Sequence, residues 1–401
     1  MTFKTIRDID VKGKTVLLRA DLNVPAKNGM VSDTTRIDRL KPTVDYLVSH
    51  GAKILVISHF GRPKAAPDPE FSMAFLIPVL KKQWGHDVQF ADDCIGTPAV
   101  TLAGSLKPGQ IGLLENVRFY PGEEKNDPAF VQSLAKLGDI FVNDAFSSAH
   151  RAHASTEGLA HVMPTAAGFL MEAELNALGA ALENPQRPMA AIVGGAKIST
   201  KLELLGNLVE KADMLILGGG MANTFLYAQG MDLKNSLCEK DMADQARAIM
   251  RKAKEKGCDI VLPSDGVWAA KFESGAEHGV CAMTAVPDGK MVLDVGPESI
   301  EMLKRRLDSA KTIVWNGPLG AFEISPFDRG TVELAKYVVE RTRSGHITSV
   351  AGGGDTVSAL EHASVADEFT YVSTAGGAFL EWLEGKTLPG VAALSACGKA
   401  A

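Results

Sequence analysis

The sequence of 401 residues has no run of about 18 apolar residues, the length that a helix needs to cross a membrane. Its first residues, MTFKTIRDIDVKGK, also lack the apolar segment of a secretory signal. These two absences predict a cytoplasmic protein that has no membrane partner.

Cysteine is scarce, and no two cysteines form a CxxC pair. The five cysteines are Cys94, Cys238, Cys258, Cys281 and Cys397. Their odd number and wide separation indicate neither a disulfide framework nor a zinc site. Acidic residues outnumber basic ones, and the net charge of -6 argues against a nucleic-acid partner. Any site for an anion must therefore be local.

The two common nucleotide fingerprints, GxxxxGK[ST] and GxGxxG, are absent from the sequence. Glycine clusters of another kind are present. They follow apolar runs at residues 194–195, 218–220, 352–354 and 376–377, and a further glycine follows Asn316. In a parallel sheet these positions lie beyond the carboxyl ends of the strands, where ligands bind.

The chain is too long for one ordinary core, and the alternation of short apolar runs with helix-like segments predicts two α/β domains with parallel sheets. The first half has predicted strands at 16–20, 54–58, 111–115 and 140–144 and helices at 38–51, 72–85 and 127–138. The second half has predicted strands at 190–194, 214–218, 259–263, 312–316, 348–352 and 370–374. Two prolines in 183–189 break a helical pattern, which predicts a domain boundary nearby.

Arginines and histidines lie at or after the ends of the predicted strands of the first half, except Arg36, which lies in the loop that leads into the first long helix. They are Arg19, Arg36, Arg62, Arg118, Arg151, His59, His150 and His153, with Asp21 and Asn23 beside them. Singly, each arginine could be a solvated charge or half of an ion pair. Together they predict a pocket for a small, multiply charged anion, because guanidinium groups bind phosphate and carboxylate bidentately. The spacing of His150 and His153 also allows a metal, but no acid or cysteine is placed to complete that site.

The second half predicts a nucleotide site. Lys197 and Lys201 follow Gly195, and we expect them one turn apart on one face of a helix, where they could also be plain surface charges. The glycines would let backbone amides approach phosphates. Asp355, which follows Gly353 and Gly354, has two interpretations: it binds a Mg²⁺ shared with the phosphates, or it caps the following helix.

Seven stretches resemble, in order and spacing, the signatures of the phosphoglycerate kinase family. They are RADLNVP, SHFGRP, LLENVRFYPGEEKND, NDAFSSAHRAHAS, GGAKISTK, WNGPLGAFE and GGGDT, and the resemblance extends to EGKTLPGVAAL near the C-terminus. It implies an α/β fold of two doubly wound domains, each with a mainly parallel six-stranded sheet flanked by helices, joined by a helix and hinge. Residues 1–171 would bind 3-phosphoglycerate, with the tail 386–401 packed back on them. Residues 172–186 would form the interdomain helix and linker, and residues 187–385 would bind the nucleotide.

The resemblance also implies an activity, the reversible transfer of a phosphoryl group from 1,3-bisphosphoglycerate to Mg-ADP, giving 3-phosphoglycerate and ATP in glycolysis. Such an enzyme is a monomeric phosphotransferase with a carboxyl group as acceptor and Mg²⁺ as cofactor. The implied substrate residues are Asp21, Asn23, Arg36, His59, Arg62, Arg118 and Arg151. The implied nucleotide residues are Gly195, Lys197, Lys201, Gly219, Asn316, Glu323, Gly353, Gly354, Asp355 and Thr356, with Asp355 as the metal ligand and Glu323 on the ribose.

The chemistry needs no general base, because the attacking phosphate oxygen is already ionised, but it needs cations on the migrating group. We therefore expect Arg36 and Lys201 to be catalytic, after a domain closure that excludes water. Two departures from the family pattern are Ala375, where glycine is usual, and Leu319, where methionine is common; the segment after Asp265 also differs. An anion-binding protein with two lobes and a dinucleotide-linked dehydrogenase are the alternatives that the residues leave open.

Overall fold

The computed structural model describes residues 2–27 and 29–398, with side chains as far as Ser395. The chain divides into two compact units, one formed by the residues up to Leu175 together with those from Thr387 onward, the other by Asn176–Lys386. Within the described ranges, no helix is both long and apolar enough to span a membrane.

The first unit is built on a six-stranded sheet in which every pair of neighbours is parallel. Its strands and those of a small antiparallel ribbon (β2, β3) are β1 (Thr15–Arg19), β2 (Ala26–Lys27), β3 (Met30–Val31), β4 (Lys53–Ile57), β5 (Val88–Ala91), β6 (Ile111–Leu114), β7 (Ile140–Asn143) and β8 (Thr165–Ala167). The sheet order is β5-β6-β4-β1-β7-β8. Of the six strands in the parallel sheet, the sequence predicted four and missed β5 and β8, which are short and carry few large apolar side chains. The ribbon was not predicted either.

Helices cover both faces of this sheet. They are α1 (Thr35–Ser49), α2 (Ile77–Trp84), α3 (Thr97–Ser105), α4 (Pro121–Glu124), α5 (Pro128–Ala135) and α6 (Phe169–Leu178). The division between the units falls inside α6, before the prolines at 185 and 188. Helix α2 begins later than predicted because Glu115 accepts hydrogen bonds from the Ser72 hydroxyl (2.6 Å) and the Met73 amide (2.8 Å) and holds that segment in short 3₁₀ turns.

Alternate residues of the central strand face two different cores. Val16 and Leu18 of β1 pack into one apolar cluster, while Leu17 packs into the other. This is the pattern of a parallel sheet that is buried on both faces. The second cluster also contains Ala393 from the C-terminal helix, whose Gly390 amide donates to the Ala149 carbonyl (2.9 Å).

The second unit repeats the plan and adds an antiparallel sheet. Its strands are β9 (Met189–Val193), β10 (Met214–Leu217), β11 (Asp259–Val261), β12 (Asp265–Ala269), β13 (His278–Ala282), β14 (Met291–Val295), β15 (Thr312–Asn316), β16 (Thr348–Gly352) and β17 (Tyr371–Ser373). The parallel sheet has the order β11-β10-β9-β15-β16-β17, and the antiparallel sheet has the order β13-β12-β14. All six parallel strands were predicted; the antiparallel sheet was not.

The remaining helices are α7 (Leu202–Lys211), α8 (Gly219–Ala228), α9 (Ala243–Lys256), α10 (Pro297–Leu307), α11 (Arg329–Arg343), α12 (Gly354–His362), α13 (Gly377–Leu383) and α14 (Pro389–Gly398), and a π-helical turn, Gly179–Glu183, continues α6. The core of the second unit is centred on Ile192, Ile313 and Trp315, which are fully buried. Two six-stranded parallel sheets flanked by helices confirm the predicted fold class.

A buried carboxyl group secures the start of α6. Asp144 follows β7, is fully buried, and accepts a hydrogen bond from the backbone amide of Met171 (2.9 Å) in the first turn of the helix. Burial raises the pKa of Asp144 from 3.8 to about 6. The folded chain therefore holds a proton here over a pH range in which the unfolded chain has released it.

This raised pKa predicts a pH-dependent stability that the variant Asp144→Asn lacks. The stabilisation linked to the proton is complete below about pH 4 and is lost as the pH rises through about 6, a loss of about 3 kcal/mol at most. Denaturant unfolding at pH 4, 5, 6 and 7 would measure it. We expect the wild type to lose stability relative to the variant over this range, and a constant difference between the two proteins would contradict the assignment.

Candidate active site

The predicted substrate residues of the first unit meet at the carboxyl ends of β1, β4, β6 and β7. We call the basic surface the set formed by Arg36, Arg62, Arg118, Arg151, His59 and His153. Three of the guanidinium groups are close enough to interact electrostatically, because the charges of Arg62 and Arg151 contribute to lowering the pKa of Arg118. Burial is the largest cause of that lowering, and the nearby Glu124 opposes it.

Arg36 and its two predicted neighbours form one hydrogen-bonded group. Its Nη1 atom lies 2.7 Å from Asp21 Oδ2 and also donates to the Asn23 carbonyl (2.9 Å). The Asn23 side-chain oxygen accepts from the Gly61 amide (2.9 Å), and the Gly61 carbonyl accepts from Arg118 Nη1 (2.9 Å). The loop after β4 is thus tied to both arginines.

Arg62 and Arg151 are exposed, and their guanidinium groups make no hydrogen bond or ion pair with any described residue. Arg36 is paired with Asp21, and Arg118 Nε lies 3.3 Å from Glu124 Oε1. The basic surface therefore carries more positive charge than the neighbouring carboxylates of Asp21 and Glu124 neutralise, which favours an anionic ligand.

The two histidines of the basic surface are neutral near pH 7. Burial, reinforced by Arg118 and Arg19, lowers the pKa of His153 to about 4. Burial and the charge of Arg19 hold the pKa of His59 well below 6.5. Both rings therefore offer hydrogen bonds and not charge. His150, the other histidine of the pattern, is half-buried.

Arg19 does not lie on the basic surface, contrary to the sequence prediction. It is 1% exposed, and its Nε atom donates to the Ser155 hydroxyl (2.8 Å). Glu123, which is also 1% exposed, accepts from the same hydroxyl (2.6 Å). Nothing in the stretch PGEEKND distinguishes Glu123 from its neighbours, so this buried acid was missed.

A cavity of about 480 Å³ lies at the carboxyl ends of the strands in the second unit. Four predicted residues line it: Gly195, Gly219, Glu323 and Asp355. The opposite wall comes from the antiparallel sheet and the loops around it, including Val292 and Leu293, and the rim has two exposed apolar side chains, Leu237 and Phe272. The sequence did not predict this wall, because the strands that form it were not predicted.

The glycines of the cavity floor are required by backbone contacts. Gly219 has a φ of +67°, and a Cβ atom there would lie 2.7 Å from the Gly195 carbonyl oxygen. At Gly353, with a φ of +99°, a Cβ atom would lie 2.5 Å from the side-chain nitrogen of Asn316. A side chain at either position would displace the elements that form the floor.

Lys197 and Lys201 do not share a helical face, so that expectation was wrong. Helix α7 begins at Leu202, and both lysines lie in the turns before it. Lys197 is exposed, whereas Lys201 Nζ donates to the Gly194 carbonyl (2.8 Å) and to Asn316 Oδ1 (2.7 Å). Because both acceptors are uncharged, the positive charge of Lys201 remains available to a ligand.

Asp355 does not cap α12, so the capping interpretation was wrong. The N-cap is Gly353, no side chain among the described residues caps the helix, and Asp355 lies exposed in the first turn. Its carboxylate has no hydrogen bond or ion pair to another residue in the described parts of the chain. Thr356, by contrast, is buried and bonded to the Gly317 amide (2.7 Å) and the Gly352 carbonyl (2.8 Å). Thr356 and Asn316 thus hold the loops in place instead of lining the cavity.

A family model described as phosphoglycerate kinase matches residues 6–386. The chain belongs to the phosphoglycerate kinase family. A relative of that name from Rhodospirillum centenum is 61% identical over 99% of this chain and 100% of its own length. Another, from Sinorhizobium medicae, is 59% identical over 98% of both chains. A solved phosphoglycerate kinase from Coxiella burnetii matches with a TM-score of 0.93 and 42% identity over 99% of this chain and 100% of its own.

Membership of the phosphoglycerate kinase family sets aside the dehydrogenase and the plain anion-binding protein. Family membership implies a nucleotide substrate. Among the residues that the structure describes, no group of three or more His, Cys, Asp or Glu side chains could hold a metal ion. The carboxylate of Asp355, which is exposed and lines the cavity in the first turn of α12, suits Mg²⁺ that is bound mainly by phosphates and water.

The structure shows the surroundings of the two residues that depart from the family pattern, and of Asp265. Ala375 is buried, and its amide donates to the Ser373 hydroxyl (3.2 Å). Leu319 is also buried and lines the cavity, while its amide donates to the Thr331 hydroxyl (2.9 Å). Asp265 keeps its place against the cavity through a hydrogen bond from the Ser299 amide (2.7 Å).

The burial of Lys201 predicts how its amino group titrates. Burial lowers the pKa of Lys201 to about 8, and the charge of Asp355 opposes that lowering. Asp355→Asn should therefore shift the midpoint below that of the wild type. The side-chain ¹³Cε signal of Lys201, followed by NMR from pH 6 to 11, would measure it. Asp367→Asn, an exposed change in the same unit, is the matched control; an unchanged or higher midpoint in Asp355→Asn would contradict the geometry.

Proposed function

We propose that this chain transfers a phosphoryl group, reversibly, between 1,3-bisphosphoglycerate and Mg-ADP, giving 3-phosphoglycerate and ATP in glycolysis. The observation that carries the proposal is the basic surface, on which Arg62 and Arg151 lack any counter-charge from the described chain. A small anion with a carboxylate and a phosphate supplies the charges that this surface lacks.

The substrate would bind through Arg36, Arg62, Arg118 and Arg151, with His59 as an uncharged hydrogen-bonding group. The side chains of Asp21 and Asn23 would form hydrogen bonds with the substrate hydroxyl. This assignment is supported by the hydrogen-bonded group that connects Asp21, Asn23 and Gly61 to Arg36 and Arg118. This group presets the positions of two guanidinium groups before the substrate arrives, which lowers the ordering cost of binding.

The nucleotide would occupy the cavity of the second unit. The apolar wall of this cavity and the rim side chains Leu237 and Phe272 suit the base of the nucleotide, and Glu323 suits a ribose hydroxyl. The phosphates of the nucleotide would lie toward Lys201 and the start of α12, where Gly353, Gly354 and the helix dipole favour negative charge. Gly195, Gly219 and Lys197 would complete the predicted contacts, and Asn316 and Thr356 would act through the loops they hold.

The chemistry that these residues support is neutralisation of a migrating phosphoryl group. Magnesium bound with the nucleotide would neutralise its phosphates, with Asp355 as the protein ligand. Lys201 and Arg36 would stabilise the charge on the transferring group. Because the glycerate residues belong to one unit and the nucleotide residues to the other, direct in-line transfer requires the units to close on each other during the reaction.

We also propose that the enzyme acts as a monomer in the cytoplasm. The residues of each site come from a single chain, so no second copy is needed to complete either one. Both substrates are strongly charged metabolites, which do not cross membranes unaided.

A coupled assay with 3-phosphoglycerate and ATP, run with and without Mg²⁺, tests the proposed activity. We expect turnover that requires both substrates and the metal. Purified protein that binds 3-phosphoglycerate but shows no transfer under any of these conditions would contradict the proposal.

Lys201→Ala gives the same assay a second result. Removing the cation from the transferring group should lower kcat by at least about a hundredfold, with little change in the affinity for either substrate. Lys256→Ala, an exposed lysine at the end of α9, is the control and should leave kcat unchanged. Unaltered kcat in Lys201→Ala would remove Lys201 from the catalytic step.

A further inference from the structure

The hydrogen bond between Arg19 and His59 determines which ring nitrogen of the histidine carries the proton. Arg19 Nη2 lies 3.0 Å from His59 Nδ1. A guanidinium group can only donate, so Nδ1 must be the acceptor and cannot bear a hydrogen. The ring is neutral near pH 7, as burial and the charge of Arg19 require. The single ring proton therefore resides on Nε2.

Arg19 is itself held by a chain of buried groups. Its Nε atom donates to the Ser155 hydroxyl (2.8 Å), which donates its only proton to Glu123 Oε1 (2.6 Å). The Ser155 amide donates to the other carboxylate oxygen of Glu123 (3.0 Å). Each donor in the chain has one acceptor, so the direction of the hydrogen bonds is fixed from Arg19 to the carboxylate.

Burial makes this chain difficult to rearrange. Glu123 and Arg19 are each 1% exposed, Ser155 is fully buried, and His59 is 7% exposed. The carboxylate is the buried counter-charge of Arg19, and both ions are satisfied by hydrogen bonds, as a buried pair must be. A reversed chain would leave a buried donor or acceptor without a partner.

We propose that Glu123, Ser155 and Arg19 form a relay that fixes His59 as a hydrogen-bond donor through Nε2 at the basic surface. The three are positioning residues. With the other tautomer, His59 would present a lone pair to an anionic oxygen, which is repulsive. The role of this donor in substrate binding rests on the proposed function, whereas the tautomer itself does not.

The test combines ring ¹⁵N spectra of the full chain with steady-state kinetics. Ser155→Ala interrupts the relay without removing a charge, and Glu123→Gln removes the charge while keeping the side-chain shape. Glu157→Gln is the matched control, since it makes the same change two residues from Ser155 at a carboxylate bonded to Asn126 and His161. His59→Gln identifies the His59 signals.

In the wild type and the control we expect His59 with an unprotonated Nδ1 and a protonated Nε2. In Ser155→Ala and Glu123→Gln, Arg19 is no longer held against His59 Nδ1, and we therefore expect signals of mixed tautomers. KM for 3-phosphoglycerate should rise about tenfold, as for a lost hydrogen bond to a charged group. KM for ATP should stay constant, and kcat should change less than KM, because binding and not chemistry is affected.

Identical His59 spectra in folded Ser155→Ala and wild type would overturn the relay. Altered spectra with an unchanged KM for 3-phosphoglycerate would overturn the role of the tautomer in substrate binding. An inactive wild type would contradict the proposed function instead, and the spectra would still decide whether the relay exists.

Discussion

Repulsion between like charges is the constraint on which the first unit depends. Arg62, Arg118 and Arg151 lie close enough for their charges to interact, and burial already disfavours the charged form of Arg118. Asp21 and Glu124 offset part of this charge, and the described chain offers nothing for Arg62 and Arg151. The arrangement persists because the residues stand at the ends of rigid parallel strands. Under the proposed function, an anion with two charged groups relieves this repulsion, and the surface selects its ligand in that way.

Net charge and local charge are separate properties in this molecule. The chain is acidic overall, yet one unit concentrates arginine at a sheet edge and the other presents backbone amides and one lysine. Under the proposed function, the two sites differ because their ligands differ. A small glycerate has little apolar area and needs charge, whereas a nucleotide has a base that an apolar wall can hold and phosphates that amides can reach.

The parallel framework could be read from the sequence because its strands are continuous apolar runs with glycine or polar residues at their ends. The strands β5 and β8 escaped because they are short, with VQFA half-buried and TAA almost without apolar bulk. The antiparallel sheet was not predicted. Its strand β13 (His278–Ala282) alternates between exposed and half-buried positions and has a glycine inside it, so it forms no continuous apolar run.

Residue types at strand ends could also be predicted, but their surroundings could not. Arg19 and Arg118 look alike in the sequence, but their surroundings differ. Arg19 lies inside a strand and is buried, with a hydrogen bond to Ser155, whereas Arg118 lies in a 3₁₀ turn after a strand and reaches the surface. Lys201 was placed on a helix that begins one residue later. Glu123 gave no local signal, since its burial depends on Arg19 and Ser155, which are distant in sequence.

Titration calorimetry of the full chain with 3-phosphoglycerate, at about 0.02 M and about 0.5 M ionic strength, tests the central claim most directly. If unneutralised arginines form the site, affinity falls as salt rises, and D-glycerate, which lacks the phosphate, binds more weakly at low salt. Binding that is insensitive to salt and equal for the two ligands would show that charge repulsion on the basic surface is not what the substrate relieves.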